Sequence, residues 1–248
     1  MHLPSLLALG LPAVASATRL FTNHGTTSGW SNSYKEHKGE ILQVPKVVKS
    51  GPTALKMTQT YDPSYTGLYH AEVHAYNAYS HGDERAYGFW FRLPKDWEFT
   101  PDQGFNIAQF IAQFPGMCDE WMPSTMIWVS ERTLWTRRKY GSLCPSTSQK
   151  TKSINTGRNV TAGVWHKVVV QAKWVPDDSG YFRLWYDGEK VVDEAGVPTT
   201  IAEDMPFQFR VGLYANSWNK GYKGNQPFRQ VWFDEIAFGT ELRDADTR

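Results

Sequence analysis

The segment that most constrains the fold is FQFRVGLYANSW, residues 207–218, because its residues sort into two faces with a period of two. Phenylalanine, valine and leucine side chains occupy one face of residues 207–213, and the opposite face carries Arg210, Tyr214 and Asn216. This alternation predicts a β-strand that buries its apolar face and exposes a cation, a phenol and an amide together. The polar face is a candidate functional site.

Short runs of the same kind recur between turn signals such as Asp187-Gly188, and no long stretch shows a helical period. Aromatic residues make up 15% of the chain, which suits two facing sheets that need bulky side chains between them. We therefore predict an all-β jelly roll sandwich of two antiparallel sheets with a substrate groove. The predicted strands are Ala54–Thr60, Leu68–Tyr79, Ala86–Leu93, Asn106–Gln113, Thr125–Ser130, Thr133–Arg138, Trp165–Trp174, Tyr181–Tyr186, Lys190–Val192, Phe207–Tyr214 and Gln230–Phe238.

The amino terminus resembles a secretion signal. Leucines crowd residues 3–11, and Ala15-Ser16-Ala17 follows as a small-residue cleavage site. We predict a signal peptide over residues 1–17, one domain over residues 18–248, and an extracellular location. The apolar run is too short to cross a bilayer, so no membrane association is expected.

The formal net charge of +1 argues against a nucleic-acid binder, and no basic run is interleaved with aromatic residues. The two cysteines, Cys118 and Cys144, lie in loop-like sequence and are expected to form a disulfide in an oxidising compartment. Asn159 begins an N-glycosylation sequon, which predicts an exposed loop.

Two further segments place polar side chains on one strand face. In Leu68–Tyr79, the residues His70, Glu72 and His74 share a face, and the alternative interpretation is an ordinary solvated surface. Gln109 lies within the apolar run NIAQFIAQ, so its amide either satisfies a core backbone group or binds a ligand. The residues alone do not separate these alternatives.

Cations stand beside an aromatic ring in TLWTRRKY, residues 133–140, where Trp135 and Arg137 share a face. This pairing suits an acidic sugar, because the ring can stack on the tryptophan while the carboxylate pairs with the arginine. A charged edge strand is the alternative. The carboxylate cluster of retaining jelly-roll glycosidases is missing, as are the HExxH, GxSxG and P-loop motifs, which disfavours hydrolysis.

These residues resemble jelly-roll polysaccharide lyases. HAEVH at His70–His74 resembles the R-[ST]-E-x-R strand of alginate lyases, with histidine at both arginine positions, and Ile111 stands where those enzymes have histidine. The combination YDPSYTGLYHAEV, NIAQFIAQF, MPSTMIW and RVGLYANSW is similar to the fungal glucuronan lyases of polysaccharide lyase family 20 over nearly the whole mature region.

The resemblance implies endo-acting β-elimination on β-1,4-glucuronan, which leaves 4,5-unsaturated oligoglucuronates. It implies that Tyr214 is both base and acid, with His70 as the rival base, and that Gln109 and His70 bind the C5 carboxylate. We expect Arg210 to lower the pKa of Tyr214. Predicted substrate-binding residues are Arg210, Asn216, Arg137, His74, Glu72 and Trp135.

Catalysis is expected to need no cofactor. The resemblance suggests a structural calcium near Asp234 and Asn23, on the side of the sandwich away from the groove. The alternative functions are an alginate (polymannuronate) lyase and a non-catalytic lectin for acidic glycans. The expected partner is an acidic polysaccharide, and the chain is expected to be a monomer.

Overall fold

The computed structural model of the protein describes residues 17–222 and 224–246. Residues 1–16 of the predicted signal peptide lie outside these ranges, so that assignment stays a prediction. Within the described part of the chain, no helix is long and apolar enough to span a membrane.

The described residues form fifteen strands, two short 3₁₀ turns at Ser146–Ser148 and Trp218–Lys220, and one helix, α1, at Leu242–Ala245. The strands are β1 Arg19–Asn23, β2 Asn32–Lys35, β3 Glu40–Val44, β4 Ala54–Thr60, β5 His70–Tyr79, β6 Glu84–Arg92, β7 Gly104–Gln113, β8 Trp121–Ser130, β9 Thr133–Tyr140, β10 Lys150–Asn159, β11 Trp165–Lys173, β12 Tyr181–Tyr186, β13 Glu189–Ala195, β14 Phe207–Tyr214 and β15 Phe228–Gly239.

Two antiparallel sheets make up the molecule, which confirms the predicted jelly roll. One sheet has the order β13-β12-β11-β6-β15-β4-β3, and β1 pairs with β15. The other sheet, here called the groove sheet, has the order β10-β9-β8-β7-β14-β5-β2. The predicted strand 207–214 therefore lies inside the groove sheet, between β7 and β5.

The core fills the space between the sheets. Phe207, Phe209, Val211 and Leu213 are all fully buried, as their alternation predicts. The Phe209 ring lies 5.1 Å from the Tyr87 ring of the opposite sheet, centroid to centroid. Burial of such side chains contributes about 1.5–3 kcal/mol each, and it fixes which face of β14 points outward.

The predicted loop features are confirmed in part. Cys118 and Cys144 form a disulfide that links the β7–β8 connection to the loop after β9. Asp187 and Gly188 both have positive φ in the β12–β13 hairpin, as the turn motif predicts. Asn159 is exposed, but the expectation of a loop is wrong, because it is the last residue of edge strand β10. Its glycosylation stays a prediction.

Candidate active site

A cleft of about 630 Å³ lies on the outer face of the groove sheet. Most of the side chains that the sequence places in the site line it. They are His70, His74, Gln109, Arg137, Arg210, Tyr214 and Asn216.

The register of the central strands explains this convergence. On one side of β14, Tyr214 pairs with His70 and Arg210 pairs with His74 of β5. On the other side, Arg210 pairs with Gln109 of β7. Paired residues project to the same face of a sheet, so the polar faces of three strands join into one surface.

A glycine allows β14 and β5 to approach closely. A Cβ atom on Gly212 would clash with the carbonyl oxygen of Ala71 and with the Cα of Glu72. The space left by the missing side chain lies over Glu72, whose carboxylate is only 1% exposed. Glu72 therefore lies beneath the cleft surface and contacts neighbouring side chains there.

Tyr214 lies against His70 in the cleft. Their ring centroids are 3.8 Å apart, with planes inclined by 23°. Burial, with smaller contributions from the charges of Glu72 and Glu36, raises the pKa of Tyr214 to about 12, and Arg137 opposes this shift. The expectation that Arg210 lowers the pKa of Tyr214 is wrong, because the phenol is buried near two carboxylates.

Arg210 binds Gln208 and Glu72. Its Nε and Nη2 donate to Gln208 Oε1 at 3.0 and 2.8 Å, and its Nη1 lies 3.8 Å from Glu72 Oε2. Its guanidinium also stacks 5.1 Å from the ring centroid of Trp121, which is 45% exposed at the cleft. Arg210 is thus a fixed cation in the wall of the cleft.

Gln109 is held by Glu72. Its Nε2 lies 2.8 Å from both carboxylate oxygens. The two oxygens of one carboxylate lie on the same side of the nitrogen, so a single N–H is shared between them. The second N–H of the amide remains for a ligand in the cleft, which Gln109 lines.

Glu36 binds His70, a contact that the sequence analysis did not predict. Glu36 Oε2 accepts hydrogen bonds from His70 Nδ1 at 2.7 Å and from the His70 backbone N–H at 3.1 Å. Glu36 Oε1 accepts from the Tyr34 hydroxyl at 2.8 Å. Burial by itself would raise the pKa of Glu36, but these hydrogen bonds outweigh it and lower the pKa. In the neutral imidazole, an ionised Glu36 holds the ring proton of His70 on Nδ1, so Nε2 is the nitrogen without a proton.

His74 stays neutral. Burial, assisted by the charges of Arg210 and His70, lowers the pKa of His74 to about 3. Neither of its ring nitrogens has a hydrogen-bond partner among residues 17–222 and 224–246. His74 lines the cleft as a neutral imidazole, and both of its ring nitrogens are buried.

Arg137 is a cation that faces the cleft from β9. Its Nε is buried and has no hydrogen-bond partner within the described ranges. A half-buried guanidinium with an unsatisfied N–H suits a carboxylate ligand. Two strands, β7 and β8, separate Arg137 from β14.

Trp135 does not line the cleft, although it shares a face with Arg137. Its ring is partly buried and stacks on Trp128 of β8, with centroids 6.0 Å apart and planes inclined by 18°. The pair lies on the groove sheet next to the cleft.

The side chains predicted to bind calcium are engaged within the protein. Asp234 is fully buried, and its carboxylate accepts hydrogen bonds from the backbone N–H groups of Lys49, Ser50 and Glu235. The amide of Asn23 closes its own turn through Thr26 and Ser28. No group of three or more His, Cys, Asp or Glu side chains that could hold a metal occurs among the described residues. These contacts leave calcium binding here without support, and it stays a prediction.

The family model described as "Polysaccharide lyase" matches residues 22–237. The structure is similar to that of the endo-beta-1,4-glucuronan lyase from the fungus Trichoderma reesei, with 48% sequence identity, a TM-score of 0.90, and coverage of 93% of this chain and 100% of that chain. No curated protein sequence gives a significant match.

Two more distant structures share the fold alone. The marine PL-14 alginate lyase from Aplysia kurodai has 10% identity and a TM-score of 0.59, with 91% of this chain and 100% of that chain covered. The cellulose induced protein Cip1 has 14% identity and a TM-score of 0.53, with 84% of this chain and 88% of that chain covered.

Proposed function

The chain belongs to the polysaccharide lyase family, and we propose that it cleaves β-1,4-glucuronan within the polymer by β-elimination. The similarity to the Trichoderma reesei enzyme supports this substrate, since it extends over the full length of that chain at 48% identity. The observation that carries the proposal is the placement of Tyr214, His70, Gln109 and Arg137 around one cleft.

The reaction faces a specific chemical obstacle. The proton on C5 of a uronate is weakly acidic while the adjacent carboxylate carries its charge. A lyase must therefore stabilise negative charge at that carboxylate and hold a base near C5. The free N–H of Gln109 is assigned to the carboxylate of the reacting sugar, together with Nε2–H of His70 in its imidazolium form. Arg137 pairs with the carboxylate of a neighbouring sugar.

Tyr214 is assigned to proton transfer. In glucuronate the C5 hydrogen and the C4 oxygen lie on the same face of the ring, so one group can remove the proton and then protonate the leaving oxygen. The raised pKa keeps the Tyr214 phenol neutral in the free enzyme, which is the form that protonates O4. Removal of the C5 proton by Tyr214 requires the phenolate, and the neighbouring Arg137 favours that form.

His70 is the alternative acceptor of the C5 proton. Its Nδ1 is bound to Glu36, which leaves Nε2 as the basic nitrogen beside Tyr214. In that scheme Tyr214 acts as the acid alone. Both schemes place elimination at the same pair of stacked rings.

Two other functions use the same surface. An alginate lyase acting on polymannuronate would need a similar cleft for an anionic polymer, and the shared fold of the Aplysia kurodai enzyme is compatible with it. A lectin would bind an acidic glycan in the cleft without cleaving it. We further propose that the enzyme works outside the cell, which the disulfide between Cys118 and Cys144 supports.

The test is the ultraviolet absorbance of the unsaturated uronate when the protein is mixed with glucuronan, polymannuronate or polyguluronate. We expect the signal with glucuronan. A signal with polymannuronate alone would favour the alginate lyase, and binding without any signal would favour the lectin.

Two variants separate the proton-transfer schemes. Tyr214→Phe removes only the hydroxyl and should nearly abolish elimination while polymer binding persists. His70→Ala should retain measurable turnover if Tyr214 is the base, whereas complete loss that added imidazole restores would identify His70 as the base. If both variants stay active, the proposed site is wrong.

A further inference from the structure

Trp128 and Trp135 form a stacked pair on the groove sheet. The pair does not line the cleft and has no part in the proposed proton transfers. Both residues are partly exposed, and they lie near the turn that joins β8 to β9, Trp128 two residues before the end of β8 and Trp135 two residues after the start of β9. Trp128 lies two residues after Met126, and Trp135 lies two residues before Arg137; both Met126 and Arg137 line the cleft. Residues two apart on a strand share a face, so this tryptophan pair extends the cleft surface.

Sheet register connects the tryptophan pair to Tyr214. Tyr214 pairs with Asn106 of β7, Asn106 pairs with Trp128, and Trp128 pairs with Trp135. These residues therefore form one row that crosses the strands. A second row contains Arg210, Gln109, Met126 and Arg137 in successive pairing, and it lies four residues from the first row on β14, three on β7, and two on β8 and β9.

The two rows suit a uronate polymer. Adjacent strands are about 4.8 Å apart, which is close to the length of one sugar residue in an extended β-1,4-linked chain. A polymer lying along the first row with one sugar at Tyr214 places its second and third following sugars over β8 and β9. Aromatic faces pack well against the C–H groups of a sugar ring, and the second row offers Arg137 to the carboxylates.

We infer that Trp128 and Trp135 form a distal subsite for a uronate residue two to three sugars from the scissile bond. This inference rests on the proposed action on glucuronan. The occupant is the same polyuronate chain that enters the cleft, because the row is continuous with Tyr214 and the flanking cation is complementary to a uronate. The subsite holds the long polymer in register and favours cleavage within the chain.

The experiment compares substrates of different length. Trp128→Ala, Trp135→Ala and the double variant are measured on glucuronan and on purified oligoglucuronates of increasing length. The control is Trp185→Ala, which removes a half-buried tryptophan from the other sheet, where Trp185 packs against Ala86 and Val169.

For each tryptophan variant we expect kcat/KM on the polymer to fall by about tenfold, mainly through a higher KM. The shortest oligomer that is cleaved should be affected by less than about twofold. Phenylalanine in place of each tryptophan should recover part of the loss, and the Trp185→Ala control should match the native enzyme at every length.

Binding gives a readout that does not depend on cleavage. Calorimetric titration of the Tyr214→Phe protein, with and without Trp135→Ala, measures oligoglucuronate affinity. If Trp135→Ala lowers affinity more for longer oligomers but the native enzyme shows no elimination, the subsite is supported and the proposed lyase activity is refuted. Equal effects at all lengths, or no effect on the polymer, would refute the subsite while the lyase activity stands. Failure to bind glucuronan would refute both.

Discussion

Replacement of Glu36 by glutamine tests how the protein holds His70. Glutamine keeps the shape of the side chain and one acceptor oxygen, so the hydrogen bond to His70 Nδ1 can survive, but the negative charge is lost. Alanine removes the acceptor as well. We expect turnover to fall for Glu36→Gln and to fall further for Glu36→Ala.

Two effects of this substitution oppose each other. A hydrogen bond to a charged group contributes about 1.5–3 kcal/mol and a neutral one about 0.5–1.5 kcal/mol. Losing the charge therefore costs about 1–1.5 kcal/mol at His70, or roughly tenfold in rate. The charge of Glu36 also raises the pKa of Tyr214, so its removal makes the phenol easier to ionise. That contribution ranks below burial and Glu72, whereas the contact with His70 is direct at 2.7 Å, so the loss should dominate.

The assay is kcat on saturating glucuronan, followed by the absorbance of the unsaturated product. Glu40→Gln is the matched control, since Glu40 is an exposed carboxylate on the neighbouring strand β3 and the charge change is the same. We expect roughly tenfold loss for Glu36→Gln and about a hundredfold for Glu36→Ala. If both Glu36 variants keep kcat within twofold of the control, then the carboxylate does not position His70 for the reaction.

The remaining predictions concern the buried network beneath the cleft. Gln109→Ala should lower turnover by on the order of a hundredfold. It should also lower the melting temperature, because buried Glu72 loses its amide donor. Near-native turnover would show that the amide is purely structural. The pKa of His74 is about 3 in the folded protein, against 6.5 for an ordinary histidine. As the pH falls below about 6.5, the unfolded chain binds a proton at His74 and the folded protein does not, so the free energy of unfolding decreases. His74→Gln should remove about 1.6 kcal/mol of the stability difference between pH 6.5 and pH 5 in urea unfolding. An unchanged pH dependence would refute this assignment.

Alternating burial made much of the fold predictable. The strands at Ala54–Thr60, Tyr181–Tyr186 and Phe207–Tyr214 have the predicted bounds, because each carries a set of alternating apolar side chains that are buried in the core. The outer strands β1, β2, β3 and β10 were not predicted. Their residues are mostly exposed on both faces, so no periodic pattern marks them.

The same physical reason explains which site residues escaped prediction. His70, Gln109 and Tyr214 lie on strands whose buried faces identify their polar faces. Glu36 follows the exposed strand β2, and only the pairing of β2 with β5 carries it to His70. The contact between Gln109 and Glu72 likewise depends on the order of β5, β14 and β7, which no local pattern specifies.

The charges around Tyr214 favour its action as an acid toward O4 over its action as a base toward the C5 proton. Burial, Glu72 and Glu36 all raise its pKa, and a bound uronate would add a further negative charge nearby. Tyr214 therefore enters the complex as the neutral phenol, ready to protonate O4, and its phenolate has to be generated within the complex. His70 can accept the C5 proton as the neutral imidazole, in which the hydrogen bond to Glu36 holds the ring proton on Nδ1 and leaves Nε2 unprotonated. The two stacked rings can therefore take different roles: the neutral phenol of Tyr214 protonates O4, and the neutral imidazole of His70 accepts the C5 proton. The effect of His70→Ala on turnover measures how much of the C5 proton transfer passes through the imidazole.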